Sequence, residues 1–139
     1  MSLELAFQRA VVNVLRSDPA VSDLVGDRVL DDVPLSFPTP YVHVGEFQTI
    51  DEDVGCGELL EAFVDIHVWT DAVGLVACHA IVAAVRAALR EADLALAPDI
   101  APGGKVHVFQ HRTSRVMRDS NPRLSHGIIN FRAILGGEY

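Results

Sequence analysis

From Leu60 to Thr70 apolar residues recur at every second position. Leu60, Ala62, Val64, Ile66 and Val68 fall on one side; Glu61, Phe63, Asp65, His67 and Trp69 fall on the other. That alternation predicts a strand with one face against a core. A lone strand cannot bury its apolar side, so the segment requires a sheet around it and helices over it. The second side mixes charge with aromatics, which is unusual for a freely solvated face. It predicts partial cover, with another subunit as the expected partner and Phe63, His67 and Trp69 as contact residues.

The rest of the chain supplies those elements. Residues 3–15 place Leu3, Ala6, Phe7, Ala10, Val11, Val14 and Leu15 at helical spacing. Ser2 is the start signal and Ser17-Asp18-Pro19 the stop. Pro19 opens a short helical turn that Gly26 closes. Residues 28–30 form a short strand candidate, and three prolines in residues 34–40 impose an extended link. Residues 41–49 alternate as a strand, with Val42 and Val44 on one face and Tyr41, His43 and Phe47 on the other. The acidic, glycine-rich stretch 51–58 reads as a mobile loop. Residues 74–91 give the strongest helix, striped by Leu75, Cys78, Ile81, Val82, Val85 and Leu89. Residues 105–117 and 124–135 then read as two strands joined by a turn at 118–123, with a loose tail at 136–139. The expectation is one α+β domain over residues 1–139. It has a mainly antiparallel four-stranded sheet, two main helices on one face, and the order α-α-β-β-α-β-β.

The 139 residues carry a net charge of −8 with a single lysine, Lys105. This balance disfavours a nucleic-acid binder or a protein of anionic membranes, which need a basic footprint. No apolar run reaches the roughly 18 residues of a membrane span. The opening residues Met1-Ser2-Leu3-Glu4 read as neither a signal nor a transit peptide. Two cysteines, Cys56 and Cys78, are too few for a disulfide framework and point to a reducing compartment. The charge is unevenly spread: residues 1–75 hold 14 acids and 3 bases, residues 76–139 hold 5 acids and 8 bases. A two-signed molecule can dock head-to-tail onto a copy of itself; solvated surface is the alternative reading.

Motifs for chemistry are missing. Of the six histidines, His107 and His111 lie four apart on one strand, too far for one ion, and no His-Glu-x-x-His spacing occurs. The expectation is scattered histidines and no metal site. Cys56 sits between two glycines without an activating partner, and Cys78 falls on the apolar stripe. Pro102-Gly103-Gly104-Lys105 lacks the Ser/Thr and the helix of a phosphate loop. Arg112, Arg115, Arg118 and Arg123 cluster on and around the last hairpin. Nucleic-acid contact is one reading, a weak signal without an aromatic module; the others are a solvated hairpin or an acidic partner, including Asp51, Glu52 and Asp53 of a neighbouring subunit.

Taken in order, several segments resemble a known family. They are Asp18-Pro19-Ala20-Val21, Leu24-Val25-Gly26-Asp27-Arg28-Val29, Pro38-Thr39-Pro40-Tyr41-Val42 and His67-Val68-Trp69-Thr70. The helix at 80–89 follows, then the hairpin strands at 114–119 and 126–132. The arrangement resembles the tail-completion proteins of long-tailed phages and gene transfer agents, over about residues 3 to 135. The resemblance implies a tail terminator without catalysis or cofactor: a ring, expected to be of six copies, at the head-proximal end of the virion tail. It implies contacts with the tail tube protein and the head stopper, synthesis in a bacterial cytoplasm, no membrane, and genomic DNA passing through the lumen without sequence-specific binding. Two other readings are a small-molecule-binding α+β dimer and a metal-dependent hydrolase using the histidines.

Overall fold

The computed structural model describes residues 2–52, 58–71, 74–90, 92–121 and 123–137. Helix α1 (Leu3–Ser17) begins at Ser2, whose hydroxyl accepts from the Leu5 N–H at 3.1 Å. Asp18 ends it and caps the next helix, α2 (Pro19–Val25), by accepting from the Val21 N–H at 3.1 Å. Pro19 occupies the first turn of α2, where a missing N–H costs nothing. Gly26, at φ 64°, turns the chain out of that helix.

Five strands follow: β1 (Val29–Leu30), β2 (Tyr41–Asp51), β3 (Leu59–Thr70), β4 (Lys105–Arg118) and β5 (Ser125–Gly136). Helix α3 (Val76–Arg90) lies between β3 and β4. The sheet order is β1-β2-β3-β5-β4, antiparallel except for the β1–β2 pair. The α+β class is as expected, but the sheet has five strands rather than four. Val29–Leu30 joins it because the Arg28 carbonyl accepts from the Val42 N–H at 2.9 Å, and the Arg28 Nε donates to the Pro40 carbonyl at 2.7 Å. The proline link is long enough to return the chain parallel to β1.

One face of the sheet is the core. Val42, Val44, Ala62, Val64, Ile66, Val68, Ile129, Phe131 and Ala133 meet the buried stripes of α1 and α3 there. Phe7 of α1 stands edge-on to Phe47 and Phe109, with ring centroids 6.1 and 5.9 Å away. Phe47 is therefore on the core face, not beside Tyr41 and His43 as simple alternation predicts. The cause is a β-bulge between Val44 and Phe47, where one extra residue opposes β3 and reverses the facing of everything after it. At Gly127 the helix comes closest: a Cβ there would lie 2.6 Å from Val82 Cγ2 and 3.2 Å from Cys78 Sγ. No helix among the described residues is long and apolar enough to cross a membrane.

Candidate functional site

Among the described residues no helix lies on the opposite face of the sheet, and its side chains form cross-strand rows. Tyr41, Trp69, His126 and Met117 make one row; His43, His67, Ile128 and Arg115 make the next. Asp65 sits opposite Asn130 and Thr113, then Phe63 opposite Gln48 and Arg132, then Glu61 opposite Ile50 and Ile134.

These rows are tied together. Asn130 Nδ2 donates to Asp65 Oδ1 at 2.8 Å, and Arg132 pairs with Glu61 while donating to Gln110 Oε1 at 3.3 Å. The Arg112 guanidinium lies over the Phe63 ring, 5.0 Å from its centroid. Trp69 stacks on His126 at 3.8 Å and 10°. His67 reaches both ways, with Nδ1 2.8 Å from His126 Nε2 and Nε2 3.2 Å from Glu46 Oε1. Burial between Trp69 and His67 pushes the His126 pKa down; His67 adds to the lowering and Asp119 opposes it. Beside this cluster, Glu46, Gln48, Phe63, Asp65, Arg112 and Asn130 line an open cleft of about 350 Å³.

Of the residues singled out from sequence, Phe63, His67, Trp69, Arg112 and Arg115 do share this one face. Their mixed polarity has an internal explanation, since Arg112 covers Phe63 and His126 covers Trp69. Asp51 closes β2 opposite Leu60, and Glu52 continues the pairing through its N–H to the Leu59 carbonyl at 2.8 Å. Asp53 and Cys56 lie outside the described residues. Arg118 ends β4 opposite Ser125, and Arg123 follows in an exposed turn where its N–H donates to Asn121 Oδ1 at 3.1 Å.

The register places these two charged groups far apart. Leu60 is the neighbour of Asp51 and of Leu135, whereas Thr70 is the neighbour of Ser125 and hence of Arg118. Ten strand residues at ~3.3 Å each separate the acidic tip from the arginine turn by about 33 Å. Within one subunit they cannot meet.

Sequence reasoning placed Asp65 on this face but missed Glu46, His126, Asn130 and Arg132 as members of it. The β3 alternation already exposes Asp65, but Glu46 needs the bulge and His126 needs the β3–β5 register. His107 falls in a bulge of β4 and His111 bonds Ser114 Oγ at 2.7 Å, so neither joins the His67–His126 pair.

A helix-backed sheet whose other face is rich in charged and aromatic side chains defines a single-sheet α+β protein. The tail completion protein gp17 family matches residues 9–136, and the chain belongs to that family. Among solved structures, it is similar to a chain in the virion of a native gene transfer agent particle, at 30% identity and a TM-score of 0.86 over 98% of both chains. It is also similar to the gp17 protein of bacteriophage SPP1, at 24% identity and a TM-score of 0.61 over 93% of this chain and 88% of that one. At that identity the likeness speaks for the fold. No curated protein sequence matches.

Proposed function

We propose that the protein is a structural, non-catalytic component of a phage or gene-transfer-agent tail. It forms a ring of six at the head-proximal end of the tail, ends tube growth and presents a surface to the head stopper. DNA passes through its lumen without sequence-specific contact. The observation that carries this reading is the full-length likeness to a chain of the gene transfer agent virion, together with the family match.

The charge layout supports the closure of a ring. An acidic end and an arginine-rich end, about 33 Å apart on one sheet, attract each other only between molecules. Repeated around an axis, such a heterologous contact closes into a ring when the rotation allows. The uncovered face, with its surface aromatics and ion pairs, is suited to lie against a neighbour or against the tube.

The test is tube growth. Tail tube protein from the same element is polymerised with and without this chain and imaged by negative-stain electron microscopy. Shortened tubes with a cap at one end are the expected result. Tubes of unchanged length, with no density at their ends, would overturn the proposal.

A further inference from the structure

The sequence gives no reason to expect a metal, because no two histidines stand at ligand spacing. The folded sheet changes that. Glu46, Asp65 and His67 each offer one ligand atom, and the three atoms lie within 4.8 Å of one another. We propose that these three side chains bind a divalent first-row transition-metal ion, of which Zn²⁺ is the type, at the rim of the open cleft on the uncovered sheet face.

The distances fit. Ligands at about 2.1 Å from a tetrahedral Zn²⁺ lie roughly 3.4 Å apart, and Glu46 Oε1 and His67 Nε2 are 3.2 Å apart. All three ligand atoms lie within 4.8 Å of one another, and Glu46, whose side chain is 79% exposed, can turn to adjust while His67 at 12% exposure is fixed. An imidazole nitrogen with two carboxylates favours Zn²⁺-type ions over Mg²⁺ and Ca²⁺, which prefer all-oxygen shells.

The surroundings also fit. A metal on His67 Nε2 places the ring proton on Nδ1, and that atom already faces His126 Nε2 at 2.8 Å as its acceptor. His126 is held in turn by its stack on Trp69. Asn130 Nδ2 donates to Asp65 Oδ1 and fixes the second ligand. Three protein ligands leave a fourth position, which opens into the cleft where Arg112 and Gln48 stand. The ion would thus accept a water or an oxygen ligand from whatever lies against this face.

The experiment is calorimetric titration of chelator-stripped, full-length protein with Zn²⁺. Co²⁺ is used in parallel for its visible bands. One equivalent per chain is expected, not displaced by millimolar Mg²⁺. Glu46→Gln and Asp65→Asn are each expected to weaken binding at least tenfold with unchanged melting. His126→Phe keeps the Trp69 stack, removes the acceptor, and is expected to weaken binding about tenfold. No saturable Zn²⁺ binding below about 1 mM would overturn the proposal. So would binding that survives both Glu46→Gln and Asp65→Asn, which would place the ion on other histidines.

Discussion

Reversing the two arginines at the β4–β5 turn, Arg118→Glu with Arg123→Glu, separates folding from assembly. Both side chains are exposed. The acidic tip at Asp51 and Glu52 is about 33 Å away by strand register, roughly four screening lengths at physiological salt. The reversal therefore leaves the isolated chain within about 0.5 kcal/mol per site of its starting stability. Between molecules the sign matters. An exposed opposite-charge pair contributes ~0.2–1 kcal/mol, and turning attraction into repulsion about doubles the difference. Two such pairs give roughly 1–4 kcal/mol per contact, a weakening of several-fold to about a thousandfold. Light scattering after size exclusion, at low and high salt, reads the assembled fraction, and thermal melting reads the fold. The expected result is an unchanged melt with assembly lost, and assembly recovered in part by Glu52→Arg on the opposite end. Assembly equal to the unsubstituted protein at both salt concentrations would refute the electrostatic contact.

Further expectations follow from particular contacts. Gly127→Ala drives a methyl into Val82, 2.6 Å away, and is expected to cost about 1–3 kcal/mol; adding Val82→Ala should recover part of it, as chemical denaturation of the double-mutant cycle shows. His126 has its pKa depressed by burial, so as pH falls below 6.5 the unfolded chain binds a proton before the folded one does. Stability measured in chelator therefore falls as pH drops through that window, and His126→Phe is expected to flatten the fall. Thr70 is buried with no partner for its hydroxyl among the described residues, so Thr70→Val is expected to be neutral or to stabilise by about 1 kcal/mol in the same denaturation assay. Burial pushes the Cys78 thiol up, and Cys78 is expected to resist a thiol reagent at pH 8 until denaturant is added, read by mass spectrometry.

Local chemistry made much of the fold legible. Ser2, Asp18 and Pro19 mark helix ends by satisfying or lacking backbone donors, and the structure uses all three that way. The alternation at 60–70 identified the central strand within a residue and sorted its two faces correctly. What stayed hidden depends on pairing between distant segments. Residues 28–30 read as a strand candidate, but that Val29–Leu30 makes a fifth strand of the sheet depends on β2 returning beside it. Phe47 turned inward because one added residue at a bulge reverses facing, which a period-two pattern cannot show. The helix-free face was half visible for the same reason. Phe63, His67 and Trp69 follow from one strand's alternation, whereas the His67–His126 contact joins residues 59 apart and Glu46 arrives through the bulge. The separation of the acidic tip from the arginine turn likewise needs the register, not the composition.

Whether the protein forms a ring that caps a tube is decided by its solution mass in the presence of tail tubes. Six chains of 15.1 kDa give a species of about 90 kDa. Light scattering of the protein recovered from tube ends, after mild release, is expected to show that mass and to lose it with Arg118→Glu and Arg123→Glu. A dimer that leaves the tubes untouched would contradict the ring.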